Sequence, residues 1–257
     1  MTKKKLLESA LRELIDKSAA DRSFEVIESE KFHGYLITNY LVRVPLKRTK
    51  IHDVSFEDKK SKRTGTKSWK ALLSINNLSY EEIVFLDLET HGLLRNVPIF
   101  MAGTLFPGSE YSRATQFIAK TENKEKRLLK WVTETIRDKT VITFNGSAFD
   151  LPFLKGRCEF HSVPFLEPSL HVDLLPYARE LWKDVFSSRK LKVLECNIND
   201  YNREFDIPSS MIPSLIKQYE NTGNMMFLEI VARHNLYDLI ATVKLFEKII
   251  STFIRSI

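Results

Sequence analysis

From residue 83 onward the apolar positions fall into short runs. The run IVFLDL at 83–88 has no polar residue before Asp87, which marks a central strand covered on both faces. Two further strand candidates, 98–105 and 114–119, follow closely enough to form a meander with it. At 124–137 the period changes to that of a helix, with Leu128, Leu129, Val132 and Ile136 on one face. A buried strand at 140–144, a glycine turn, a helix from about Leu151, a strand at 170–174 and a mostly helical remainder ending in 227–254 complete the order. Three strands, then helix and strand in alternation, then helices, predict an α/β fold.

Ahead of this body the pattern differs. Leu6, Leu7, Ala10, Leu11, Leu14 and Ile15 share a helical face, and 24–28 and 35–44 read as strands. The segment 47–70, KRTKIHDVSFEDKKSKRTGTKSWK, is polar and reads as a mobile loop or hairpin. A boundary is expected near residue 80, between a small basic α+β extension at 1–80 and a main domain at 81–257.

Charge sharpens that division. The formal net charge is +6, and the first 80 residues hold 17 Lys+Arg against 10 Asp+Glu, so the whole excess lies there, concentrated at 43–70. A basic stretch beside a near-neutral body suits a polyanion, whose counterions it releases; a solvated loop of ordinary lysines is the other reading. Trp69, beside Lys67 and Lys70, adds an aromatic to the segment expected to hold a nucleic-acid strand. The two cysteines, Cys158 and Cys196, form neither a disulfide framework nor a CxxC zinc spacing. Glu8, Arg12, Glu13 and Asp16 break up the first helix as no signal peptide would allow, and no stretch approaches the roughly 18 uncharged apolar residues of a membrane helix. A cytoplasmic protein with no membrane partner is expected.

The chemistry lies in three places. Asp87 and Glu89, in DLET, are one residue apart on a strand and so share a face. Two like charges ending an apolar run are costly unless a cation neutralises them, and a hard divalent ion prefers such oxygens; a strand end that has reached solvent is the alternative. Next, a buried strand runs into Asn145-Gly146-Ser147-Ala148-Phe149-Asp150, where Asp150 alone would read as a helix N-cap and Asn145 alone as a turn residue. Finally His234 and Asp238 stand four apart on a helix and so stack on one face.

Taken in order, Asp-x-Glu, Asn-Gly-x-x-Phe-Asp and His-x-x-x-Asp resemble the three exonuclease motifs of the DEDD superfamily. The chain is more closely similar to the bacterial YprB-like ribonuclease H-like group, through Asp87-Leu-Glu89-Thr90-His-Gly-Leu, Asn145-Gly146-Ser-Ala-Phe-Asp150-Leu-Pro-Phe-Leu, His171-Val-Asp173-Leu-Leu and His234-Asn235-Leu-Tyr-Asp238. The likeness runs from about residue 22 to the C-terminus. It implies a ribonuclease H-like mixed five-stranded sheet with helices on both faces. It also implies that Asp87, Glu89, Asp150 and Asp238 hold two divalent cations, Mg²⁺ or Mn²⁺, which would clamp a scissile phosphate from about 3.5–4 Å apart.

The expected activity is 3′–5′ exonucleolysis of single-stranded DNA or RNA. Thr90, Asn145, Gly146 and Asn235 would meet the terminal nucleotide, and Asp173 would support the carboxylates from behind. DEDD enzymes carry either a tyrosine four residues, or a histidine five residues, before the last aspartate. This chain has a histidine at the tyrosine spacing, with Tyr237 at neither, so His234 is the expected general base. A nucleic-acid-binding module without cleavage and a structure-selective endonuclease on the same fold are the alternatives.

Overall fold

The computed structural model describes residues 24–32, 35–47, 69–94, 96–186, 188–199, 203 and 206–256. Seven strands form one sheet: β1 (Phe24–Phe32), β2 (Tyr35–Val42), β3 (Ile83–Thr90), β4 (Ile99–Phe106), β5 (Ser112–Ala119), β6 (Thr140–Thr143) and β7 (Leu170–Asp173). Their order across the sheet is β1-β2-β5-β4-β3-β6-β7. The β1–β2, β2–β5, β5–β4 and β4–β3 pairs are antiparallel, and β3–β6 and β6–β7 are parallel, so the sheet is mixed.

The expected five strands form its centre and one edge. The difference is the pair from the N-terminal segment, which was expected to stand apart. β2 pairs with β5 along its whole length, from Tyr35–Ala119 to Val42–Ser112, so the hairpin prolongs the sheet. The expected helix within the first 17 residues and nearly all of the 47–70 loop lie outside the described residues.

Seven α-helices are described: α1 (Trp69–Ser74), α2 (Glu122–Ile136), α3 (Asp150–Phe160), α4 (Leu174–Leu181), α5 (Leu191–Asn199), α6 (Ile212–Thr222) and α7 (Met225–Ser256). β3 shows why IVFLDL is continuously apolar. Val84, Leu86 and Leu88 pack with Leu128, Leu129 and Val132 of α2 and with Phe153 and Leu154 of α3. Ile83 and Phe85 face the other way, into a core with Leu236, Leu239, Ile240 and Val243 of α7. Period-two alternation therefore carries Asp87 and Glu89 toward α7. A third cluster joins Phe100 and Met101 of β4 to α6 and to Phe227, Leu228 and Val231 of α7.

Trp69 corrects one expectation. It is a core residue, stacked on Phe253 with ring centroids 3.9 Å apart and edge-on to Tyr177 at 4.8 Å. Its indole N–H donates to Glu180 Oε1 at 3.2 Å. The helical spacing of Trp69, Leu72 and Leu73 puts all three on the buried face of α1.

Candidate active site

Three elements bring the four expected carboxylates together. Asp87 and Glu89 come from β3, Asp150 is the first residue of α3, and Asp238 lies midway along α7. Glu89 and Asp150 are buried, while Asp87 and Asp238 keep partial contact with solvent.

Asp150 does not cap its own helix by side chain. Its Oδ1 accepts the Leu88 N–H of β3 at 3.0 Å, across 62 residues of chain, which ties the start of α3 to the strand between the two β3 acids. The turn before it is shaped to allow this. Asn145 has φ 67°, a left-handed conformation that asparagine tolerates better than most residues. A Cβ on Gly146 would lie 2.2 Å from Thr143 Oγ1, so only glycine fits there.

Asp173 holds that turn. Its Oδ1 accepts from Asn145 N at 2.7 Å and from Leu175 N at 3.0 Å, and its Oδ2 accepts from Ser147 N at 3.1 Å. Asp173 is thus both the N-cap of α4 and the anchor of the loop that delivers Asp150.

Asp87 is held through a slot in the sheet. Asp87, Gly103, Gln116 and Thr38 lie side by side across β3, β4, β5 and β2. Gly103 leaves its place in this row open, and the Asn235 side chain fills it: a Cβ on Gly103 would sit 2.0 Å from Asn235 Oδ1. The Asn235 amide donates to Asp87 Oδ2 at 2.7 Å and to Asp87 O at 3.2 Å, and its own oxygen accepts from Gln116 Nε2 at 2.9 Å. Gln116 also donates to Ala232 O at 2.6 Å, and its oxygen accepts the Tyr40 hydroxyl at 2.8 Å. This chain fixes the amide orientation: the Ala232 carbonyl can only accept, so Gln116 presents Nε2, which donates to Asn235 Oδ1 and leaves the Asn235 NH₂ facing Asp87.

The substrate-binding expectations distribute unevenly. Asn145 is exposed beside Asp150, and Gly146 is buried under it. Thr90 is buried, with its hydroxyl donating to Gly92 O at 2.5 Å. Asn235 is wholly buried, its amide engaged by Asp87 and Gln116.

Around Asp238 lies a group that sequence reading missed. Arg203 Nη1 donates to Asp238 Oδ1 at 2.5 Å and to Asp206 Oδ2 at 3.0 Å; Nη2 donates to Tyr237 O at 3.2 Å; Nε donates to Glu195 Oε2 at 2.5 Å. His234 is buried, with Nδ1 2.6 Å from Asp206 Oδ1 and Nε2 3.6 Å from Asp238 Oδ2 and 3.3 Å from Ser209 Oγ. Asp206 selects the tautomer, since its carboxylate holds a proton on Nδ1 and leaves Nε2 toward Asp238. Arg203 and Asp206 stand in a stretch without helical or strand period, and Glu195 is one acid among the polar positions of α5, so nothing in the sequence marks the three as a group.

Electrostatics follow from the arrangement. Burial, then the charges of Glu89, Asp238 and Asp150, push the Asp87 carboxyl well above the usual carboxylate range. Burial, then Asp238 and Asp150, do the same to Glu89. Burial pushes Asp150 up to about 7, against the pull of the Leu88 N–H. His234 is pulled down by burial, but Asp238 and Asp206 outweigh this and leave it above the ordinary imidazole value. Asp206 is pushed up by burial and more than brought back by its His234 hydrogen bond, ending below the usual range.

Among the described residues no group of three or more His, Cys, Asp or Glu side chains is arranged, as it stands, to hold a metal ion. The donor chemistry nevertheless fits a hard divalent cation: Asp87, Glu89 and Asp150 are oxygen donors that repel one another, and the hydrogen bonds Asp87 and Asp150 accept come from neutral N–H groups.

Mixed sheet, covered faces and an acidic centre between β3, α3 and α7 define an α/β domain of ribonuclease H-like architecture. The family model of the RNase_H superfamily matches residues 84–250, and the chain belongs to that superfamily. It is 27% identical to the uncharacterized protein YprB of Bacillus subtilis over 178 residues, covering 68% of this chain and 43% of that one. It is 26% identical to a DNA polymerase of Methanocaldococcus jannaschii, covering 40% of this chain and 9% of the polymerase. Among solved structures, a family B DNA polymerase from Pyrobaculum calidifontis shares the fold over 67% of this chain and 25% of its own, with TM-score 0.51 and 18% identity. The chain thus spans less than half the length of these relatives. Among the described residues no helix is long and apolar enough to cross a membrane.

Proposed function

We propose that this chain is a metal-dependent 3′–5′ exonuclease that hydrolyses phosphodiester bonds of single-stranded DNA or RNA. The observation that carries the reading is the convergence of Asp87, Glu89 and Asp150 on one partly open, mutually repelling centre whose carboxyls all have raised proton affinity. Like charges crowded in this way suit a centre that takes up divalent cations, Mg²⁺ or Mn²⁺. The membership in the RNase_H superfamily and the likeness to DNA polymerases support nuclease chemistry.

When bound, such a cation supplies a Lewis acid that offsets the negative charge of the phosphate. Asp87, Glu89 and Asp150 would hold it, and Asp238 is the fourth carboxylate beside them, paired with Arg203. His234 would accept the proton of the attacking water at Nε2, while Asp206 stabilises the imidazolium through Nδ1. Asn235 keeps Asp87 in place, and Asp173 keeps the Asn145 turn in place, so both act on the carboxylates. Of the four expected contacts to the terminal nucleotide, Asn145 is the one exposed to an incoming 3′ end.

The test is digestion of 3′- and 5′-labelled single-stranded DNA and RNA with Mn²⁺, Mg²⁺ or EDTA, comparing wild type with Asp87→Ala. Cation-dependent shortening from the 3′ end, abolished by the substitution, is the expected result and also names the preferred sugar. Cleavage of circular single strands would point to an endonuclease. Binding without cleavage by folded protein would support a non-cleaving module, a second reading favoured by the Arg203–Asp238 ion pair.

A further inference from the structure

The four carboxylates are not equivalent. Asp87 is met by the Asn235 amide and Asp150 by the Leu88 N–H, both neutral dipoles. Asp238 alone of the four has an arginine partner among the described residues, with Arg203 at Oδ1, 2.5 Å away; His234 stands 3.6 Å from its Oδ2. Resting on the reading of this cluster as a cation centre, we propose that Arg203 is its built-in counter-cation at Asp238. The centre then binds one divalent cation tightly, on Asp87, Glu89 and Asp150, with Asp238 kept out of the tight ligand set.

Arg203 is placed to do this permanently. Its side chain is 1% exposed, against 18% for Asp238, so it is part of the wall and Asp238 is the group at the opening. Every side of the guanidinium is engaged: Glu195 at Nε, Asp206 and Asp238 at Nη1, the Tyr237 carbonyl at Nη2. Its plane lies over the Tyr237 ring, 5.6 Å from the centroid. A guanidinium so held cannot swing aside without leaving buried acids unpaired, which is costly. A divalent ion drawn to Asp238 Oδ1 would meet that positive charge at contact distance, in surroundings where little water screens the repulsion. At the Asp87, Glu89 and Asp150 oxygens no such cation stands in the way among the described residues. Arg203 is therefore a positioning residue that sets how many cations the centre takes and on which oxygens.

The test is Mn²⁺ uptake by the whole chain, read from the loss of the free-ion electron paramagnetic resonance signal. Wild type is expected to take up one Mn²⁺ tightly. Asp238→Asn should keep that affinity within about threefold, whereas Asp87→Asn and Asp150→Asn should weaken it by about thirtyfold or more, the scale of disturbing a metal's coordination. Arg203→Gln should tighten uptake by about tenfold or add a second ion, as Asp238 becomes available. That variant strips Glu195 and Asp206 of their partner and can lose the fold; Asp238→Asn does not, and its result decides alone. A loss in Asp238→Asn as large as in Asp150→Asn, or two ions bound tightly by wild type, would overturn the proposal and leave the nuclease reading standing. No uptake by wild type would overturn both.

Discussion

Without a cation, Asp150 is a cost to the fold, and Asp150→Asn measures it. Asparagine has nearly the same volume, and its oxygen can still accept the Leu88 N–H that now ends on Asp150 Oδ1. What it removes is charge. Burial lifts the Asp150 carboxyl from 3.8 to about 7, with further upward pressure from Asp173 and Asp238. A group whose folded pKa lies above its unfolded one gives its full stabilising share below the unfolded value and loses it as pH rises through the folded value. At about 1.4 kcal/mol for each tenfold change in proton affinity, the lift bounds the cost of an ionised Asp150 at pH 8 at about 4 kcal/mol. Asp87 and Glu89 share protons with it, so about 2 kcal/mol is the expected net figure. In EDTA at pH 8, Asp150→Asn should therefore melt about 4–8 °C above wild type. At pH 4 both forms are uncharged in the folded state and should melt together. Adding Mn²⁺ at pH 8 should raise wild type and leave the variant where it was. A variant less stable than wild type in EDTA at pH 8, or an equal gain at pH 4 and pH 8, would refute the account of Asp150 as an uncompensated buried charge.

Gly103→Ala should cost about 1–3 kcal/mol by urea unfolding and weaken Mn²⁺ uptake as well, because a Cβ 2.0 Å from Asn235 Oδ1 must displace the amide that holds Asp87. Tyr40→Phe removes one buried hydrogen bond to Gln116 and should cost about 1 kcal/mol while Asn235 keeps its other partners. Arg157→Met should cost about 3–5 kcal/mol, since it deprives the wholly buried Glu125 of a bidentate partner and frees the Asn96 carbonyl. A thiol reagent at pH 8 should label Cys196, which is exposed, and spare Cys158, whose buried thiol is pushed up to about 12; mass mapping of the modified peptide decides.

The carboxylates were legible because each leaves a local mark. Period two puts Asp87 and Glu89 on one face of a run whose remaining members must be core, and a glycine turn precedes Asp150 at a helix start. The central strands were legible from their own composition, since β3 and β6 are buried along nearly their whole length. What escaped was whatever depends on register between distant strands. Gln116 reads as one polar residue in a strand, and only its alignment with Gly103 and Asp87 reveals a slot for Asn235. Trp69 was misread because neighbouring lysines outweighed a helical spacing that was present. The joining of β2 to β5 was likewise invisible, because an edge pairing leaves no mark in either strand alone.

The histidine at tyrosine spacing also becomes intelligible once Arg203 and Asp206 are in place. A helical interval of four stacks His234 directly beneath Asp238, with the ring 3.6 Å from Oδ2. A ring so close to its own acidic neighbour needs a second anchor if it is not simply to pair with it, and Asp206 supplies one at 2.6 Å on the far nitrogen. Asp206 is in turn neutralised by Arg203, whose same nitrogen reaches Asp238. His234, Asp206, Arg203 and Asp238 therefore form a closed ring in which carboxylates and nitrogen groups alternate, and displacing any one member loosens the next. Such a ring accounts for how a buried histidine and a buried arginine are both kept beside the acidic centre, and for why Tyr237, adjacent in sequence, is turned away to lie against the Arg203 guanidinium. The proposed acid–base group and the proposed counter-cation are thus parts of one device, joined where Arg203 and Asp206 meet Asp238 and His234 on α7.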